Sequence, residues 1–297
     1  MNRFLLFVLL ATIASGAGAI DLDKLKKLEE KIKGPAEPSS SAAKAPASPE
    51  GAPSAQMPSI PPIGNVPEAD EIKIGRRIAG NLLGAAPLVK NPALQGYVNR
   101  VGRWVASASE RPDLKWRFGV IESDDVNAFA APGGYVFLTS GLYRLLRDEA
   151  ELAGVLGHEI AHVVKKHHLK LLQKSQAIEA GSNLLKKQIG DEKVAKTLIG
   201  SGAEILARGL DKDAEFEADR MGVVLAARAG YEPFGLPAVL QEISAASADS
   251  SSVALLFKTH PHPDERLARL GDAMGANFDK LKNSKSLQER LVRLPKG

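Results

Sequence analysis

No cysteine occurs in the 297 residues, which excludes disulfides and lipid attachment at a signal-site thiol. Aromatic residues make up only 5%, so a core must be built from the abundant Leu, Ala and Val. Neither charge dominates. The 39 basic and 35 acidic residues are spread along the chain, which argues against dedicated nucleic-acid binding and leaves room for mild attraction to anionic membranes or acidic partners. Long apolar runs are also missing. The run from Phe4 to Ile13 is too short for the ~20 residues that a bilayer needs. It follows Arg3 and leads to small residues ending Ala17-Gly18-Ala19, the pattern of a cleaved secretory signal over residues 1–19 with Ile20 as the new start. The expected product is exported, soluble and not a lipoprotein.

Composition then changes twice. Residues 20–33 are charged, with Leu22, Leu25, Leu28 and Ile32 near helical spacing, a segment too short for a robust isolated helix. Residues 34–67 hold nine of the eighteen prolines together with many Ser and Ala, a composition that builds no core and reads as an extended, disordered linker. A folded domain is expected over residues 68–297.

Within that domain, His158-Glu159-Ile160-Ala161-His162 carries the most chemistry. On a helix, positions four apart lie about 40° from each other and about 6 Å apart along the axis, so both imidazoles reach one tetrahedral ion. Glu159 sits beside them as a candidate general base. Asp148 to Ile178 contains no proline, and Leu152, Val155, Leu156, Ile160, Val163 and Val164 recur at helical spacing. An unbroken helix would carry His168 about 15 Å along the axis from His158 and turn His167 to the opposite face, making both a solvated, basic helix end.

A third ligand must then come from elsewhere. Asp213 to Arg220 offers Glu215 and Asp219 one turn apart, suited to a metal carboxylate and an acid that accepts the free N–H of a ligand histidine. An ordinary solvated acidic helix start fits the same residues, and Glu217 competes with Glu215 for the metal.

His158 to His162, followed some fifty residues later by Glu-x-x-x-Asp-Arg, resembles the zinc metallopeptidase family of the CaaX prenyl proteases and HtpX, in particular its soluble periplasmic, BepA/LoiP-like branch. Asn127 to Thr139 is similar to the strand segment beside the cleft in that family, and Thr259-His260-Pro261 with Arg266 to its C-terminal motif. The resemblance implies Glu215 as the third ligand and Asp219 as the supporting acid. His260 would lie near the metal, donating to the oxyanion or filling the open position at rest, with Arg266 stabilising the same charge. His262, between two prolines, is expected to be structural. One departure is that many relatives carry Ser-Arg where this chain reads Asp211-Lys212.

Leu114 to Ile121 and Tyr135 to Leu138 read as strands, with Pro132-Gly133-Gly134 as a turn. The segment is either a plain hairpin or, if its edge faces the cleft, a surface that takes substrate as an added strand. Asn127, Ala128, Phe129, Gly133 and Gly134 are the candidate substrate contacts. Helical patterns dominate elsewhere: Glu68 to Leu83, Pro92 to Ala108, Val194 to Leu206, Ala214 to Ala229, Phe234 to Ala246 and Asp264 to Met274.

The expected fold is α+β, mainly α-helical, a single zincin-type domain with a small β-sheet at the active-site cleft. The expected activity is that of a zinc-dependent endopeptidase with one Zn2+ per chain on His158, His162 and Glu215. By the resemblance it acts in the periplasm on unfolded or misassembled envelope proteins, with the outer-membrane assembly machinery as a partner. The alternative is a non-catalytic or latent zinc-containing chaperone or adaptor.

Overall fold

A computed structural model describes residues 65–175, 209–246, 252–275, 277–278, 281 and 284–294. The signal, the short charged segment, most of the linker and the helix expected over Val194 to Leu206 lie outside the described residues.

Two helices come first, α1 (Glu68–Ala85) and α2 (Pro92–Ala106). The start of α2 is set by Asn91, whose side chain accepts from the Leu94 amide, and by Pro92 in the first turn. Three strands follow: β1 (Arg117–Ile121), β2 (Ala128–Ala131) and β3 (Tyr135–Thr139). Pairing is parallel for β1 with β3 and antiparallel for β2 with β3, in the order β1-β3-β2. The outer side of β1 is covered, since the Val89 and Glu122 amides donate across it. Among the described residues no strand pairs with the outer edge of β2, where the Ala128 amide donates to the Asn127 side chain at 3.0 Å.

The turn between β2 and β3 needs glycine. Gly133 and Gly134 have φ of 76° and 91°, and a Cβ on Gly133 would stand 2.6 Å from the Ile72 Cα. The Gly133 amide donates to the buried Glu71 of α1 at 3.0 Å. This pair of glycines thus seats the hairpin on α1.

After the short α3 (Ser140–Leu145), Asp148 caps α4 (Glu149–Val164) by accepting from the Glu151 amide. Every residue of α4 from Glu149 to Val163 is buried, so this helix is an axle of the core rather than an amphipathic surface helix. Glu149 is tied down by the Tyr97 and Tyr231 hydroxyls, at 2.8 and 2.9 Å. Helices α5 (Lys212–Arg228), α6 (Gly235–Ala245), α7 (Ala254–Thr259) and α8 (Pro263–Met274) complete the domain around α4. The architecture is α+β and mainly helical, as the sequence implies. Among the described residues no helix is long and apolar enough to cross a membrane.

The expected unbroken helix from Asp148 to Ile178 is not formed. Lys165 ends α4, Lys166 takes a left-handed φ of 57°, and helical turns resume over 167–175. The reversal brings His167 and His168 back against His162, with ring centroids 5.1 and 5.5 Å away. His167 is accordingly buried, not a solvated helix end.

Helices α4 and α5 cross where two glycines meet. A Cβ on Gly222 would lie 2.7 Å from the His158 backbone nitrogen, and one on Gly157 would lie 2.7 Å from the Gly222 carbonyl. Since the clashing atoms are backbone, Gly222→Ala must push the helices apart, and a loss of about 1–3 kcal/mol is expected for such overpacking. Thermal unfolding of the variant would show it as a lowered midpoint; an unchanged midpoint would contradict the close crossing.

Candidate metal centre

The crossing of α4 and α5 positions the site. His158 and His162 project from consecutive turns of α4, with their Nε2 atoms 3.0 Å apart. From α5, Glu215 directs one oxygen to 3.7 Å from His158 Nε2 and the other to 3.6 Å from His162 Nε2. The loop after α7 adds His260, whose Nε2 is 3.8 Å from Glu215. One donor atom from each of these four residues lies within 4.8 Å of every other. Ligands about 2.0–2.1 Å from zinc at tetrahedral angles are separated by about 3.3 Å, close to the observed spacings.

Hydrogen bonds on the far side of each ring fix which nitrogen faces this point. Asp219 Oδ1 lies 2.8 Å from His158 Nδ1. Arg266 clasps the same carboxylate through Nε at 2.9 Å and an Nη at 2.6 Å. His260 Nδ1 is 2.9 Å from the Thr259 hydroxyl, which also lies 3.1 and 3.2 Å from the Leu255 and Leu256 carbonyls. Those carbonyls can only accept, so with its single proton directed to them the hydroxyl accepts from His260 Nδ1–H. His158 and His260 therefore both turn an Nε2 lone pair toward Glu215.

Electrostatics agree with a cation site. Burial holds the imidazoles of His158, His162 and His260 below their ordinary pKa, leaving neutral rings with free lone pairs. Burial pushes the Glu215 carboxyl well above its ordinary value, and among the described residues neither of its buried oxygens has a hydrogen-bond donor. An ionised carboxylate in that position is strongly disfavoured unless a cation accompanies it. Two or three imidazole lone pairs with one orphaned carboxylate suit zinc or another borderline divalent ion. Among the described residues this is the group of His, Asp and Glu side chains arranged to hold a metal.

Of the two candidate carboxylates, Glu215 is enclosed and faces the histidines, whereas Glu217 is 44% exposed and pairs with Lys165 and His167. Glu159 is buried beside the donors, and burial, opposed by Arg266, raises its carboxyl to about 8. Ala128 and Phe129 of β2 line the same small space as Glu159, Glu215 and His260. Asn127 reaches this region indirectly, its amide 3.5 Å from the Thr259 hydroxyl. Gly133 and Gly134 are not brought there; they pack on Ile72 and Leu114. His262 is half-exposed and caps α8, accepting from the Asp264 amide. Asp211, standing where the resembled pattern differs, caps α5 at 2.8 Å from the Ala214 amide.

His167 and Thr259 are the contacts that sequence reasoning missed or left without a role. The polar pair Lys165-Lys166 closing the apolar pattern after Val164 was the available signal for the break, but neither residue favours the left-handed region as glycine or asparagine would.

Although burial alone raises the pKa of Asp219, Arg266 and His158 hold it below its usual 3.8. Because folding lowers this pKa, the pairing stabilises the chain above that value and is lost as the pH falls below it. The urea midpoint should drop more steeply between about pH 5 and pH 3 in wild type than in Asp219→Asn. Parallel curves would contradict the linkage.

A buried carboxylic base beside convergent metal donors is the arrangement used by metal-dependent hydrolases. Comparison with known proteins narrows that class. The model of peptidase family M48 matches residues 92–273, and the chain belongs to that family. It is 32% identical over 208 residues to the beta-barrel assembly-enhancing protease of Escherichia coli (strain K12), covering 67% of this chain and 42% of that protein. It is 29% identical over 175 residues to mitochondrial metalloendopeptidase OMA1 of Schizosaccharomyces pombe, covering 59% and 51%. Metalloprotease YcaL of E. coli K12 is 30% identical over 161 residues, covering 54% and 62%. The chain thus spans less than half the length of the first of these relatives.

Proposed function

We propose that this chain is a zinc-dependent endopeptidase that cleaves unfolded or misassembled proteins of the bacterial envelope. The observation that carries the reading is the buried, unpartnered Glu215 carboxylate facing the His158 and His162 Nε2 atoms, with Glu159 beside them. His158, His162 and Glu215 would hold one zinc ion, which when bound supplies Lewis acidity for a water and the scissile carbonyl. Glu159 takes the proton of the attacking water and returns it to the leaving amine. Asp219, gripped by Arg266, keeps His158 turned toward the metal. The outer edge of β2, at Ala128 and Phe129, accepts an extended substrate as an added strand once the Asn127 side chain releases the Ala128 amide. His260 gives its Nδ1–H to Thr259 and turns an Nε2 lone pair inward, so it suits the open metal position at rest and would donate to an oxyanion only as the imidazolium.

Placement in the envelope rests on the secretory-type pattern of residues 1–19 and on the names of relatives that enhance β-barrel assembly. In this reading the short amphipathic segment 20–33 and the linker 34–67 precede a soluble periplasmic peptidase domain of residues 68–297, and an outer-membrane assembly machine is the partner to test. The test is cleavage of unfolded casein by the purified chain. Cleavage is expected to stop on chelation and return with zinc, and chelation is expected to lower the melting temperature. Zinc-loaded chain that leaves casein intact would contradict a constitutive peptidase.

A latent form of the same enzyme is favoured by one observation. The space between β2, Glu159, Glu215 and His260 is about 10 Å3, room for one water, and His260 stands as a fourth donor. A substrate strand enters only when His260 moves.

A further inference from the structure

His167 has no part in the reading above, yet it is 5% exposed in the middle of the domain. Its Nδ1 lies 2.9 Å from Nδ1 of His162, and its Nε2 lies 3.2 Å from Glu217 Oε2. The proton positions along this chain follow from elimination. A carboxylate only accepts, so His167 donates from Nε2, and an imidazole with its one proton on Nε2 offers Nδ1 as an acceptor. The proton between the two rings therefore belongs to His162 Nδ1, and His162 Nε2 is left as a lone pair facing Glu215.

We infer that His167 is a positioning residue for the metal centre, accepting the Nδ1–H of His162 while Glu217 holds its own Nε2–H, so that His162 is fixed in the tautomer and ring orientation that bind the ion. The inference rests on the proposed metal reading and adds a second support to it. His158 is oriented by the Asp219 carboxylate, whereas His162 is oriented by a neutral imidazole that relays a half-exposed carboxylate from α5. The relay exists because α4 breaks at Lys166; a continuous helix would point His167 away. It also joins the helical stretch 167–175 to α5 across the metal ligand, through Glu217, two residues beyond Glu215.

Outer partners of metal-bound histidines typically affect affinity by about 10–100-fold. The test is zinc affinity, measured by competition with a fluorescent chelator at fixed pH, on the purified wild-type chain and on His167→Leu, His167→Gln, Glu217→Ala, Lys165→Ala and His162→Ala. His167→Leu keeps bulk but neither accepts nor donates, and should weaken zinc binding by about 10-fold or more. His167→Gln can accept from His162 through its carbonyl and donate to Glu217 through its amide, and should restore most of the affinity. A purely packing role predicts no such rescue. Glu217→Ala, on a half-exposed side chain that the fold tolerates, should shift affinity in the same direction by a few-fold. Lys165→Ala removes the other partner of Glu217 and should leave affinity unchanged.

If His167→Leu and Glu217→Ala both bind zinc as wild type does, or if glutamine rescues no better than leucine, the inference is overturned while the metal site stands. If wild type takes up no zinc, or His162→Ala binds it equally well, the metal reading itself has failed. Should His167→Leu not fold, the Glu217→Ala and His167→Gln measurements still decide the matter.

Discussion

Glu159→Gln is expected to lower kcat/KM for a polypeptide substrate by about 10²–10⁴-fold while leaving the metal content unchanged. Glutamine has nearly the same shape and remains able to hydrogen-bond, but at neutral pH it takes no proton. The specific feature behind this expectation is the environment of the carboxyl. Buried next to His158 and raised to about 8, Glu159 exchanges a proton near neutrality more readily than an exposed glutamate would. Its adjacency to His158 in sequence turns it to the β2 side of α4, and with Ala128 and Phe129 it lines the same space. Parallel measurements of cleavage and zinc stoichiometry check the point. Loss of cleavage together with loss of metal would assign Glu159 a structural role instead.

Glu215→Ala should abolish both metal retention and activity. The residue is fully buried, and neither carboxylate oxygen has a donor among the described residues. Removing it deletes one of the donors and, among the described residues, the carboxylate that faces both the His158 and His162 Nε2 atoms. A second consequence separates this residue from an ordinary ligand. Without metal, the wild-type chain must bury a carboxyl whose pKa is pushed far up by desolvation. The variant is relieved of that burden. Metal-free Glu215→Ala is therefore expected to melt at or above the temperature of metal-free wild type, yet to gain nothing from added zinc. Binding of an ion raises the stability of wild type by RT ln(1 + [L]/Kd), about 4 kcal/mol at a thousandfold excess over Kd. Calorimetry with and without zinc reads both effects. A variant that still gained stability from zinc would show that the carboxylate is not a ligand.

Much of this site was legible in the sequence because helical geometry makes it so. Two histidines four apart on a proline-free apolar stretch converge whatever the fold around them. The α5 and α8 helices formed close to their expected bounds and α4 began where expected, with Asp148 and Asp211 capping two of them as a sequence reading allows. Between Glu215 and Glu217, sequence left the choice open, because both occupy exposed-looking acidic turns until the partner helix is placed. Burial against α4 at the Gly157–Gly222 crossing sets the two apart, and such a crossing has no local signature. The end of α4 was misread for a related reason. Lysine at a positive φ costs about 1 kcal/mol or more, so local preference argues against it. Lys166 adopts it while Leu169 and Leu172 of the following stretch bury themselves in the cluster formed with Ile74, Ile78 and Phe137. Tertiary packing overrode propensity there, and His167 entered the site as a result.

Zinc titration into the metal-stripped chain, followed by the competition chelator, addresses the central claim most directly. The account predicts one tight site per chain, present in Glu159→Gln, and lost in His158→Ala, His162→Ala and Glu215→Ala alike. Tight binding that survives Glu215→Ala, or a wild-type chain that takes up no zinc at all, would contradict it.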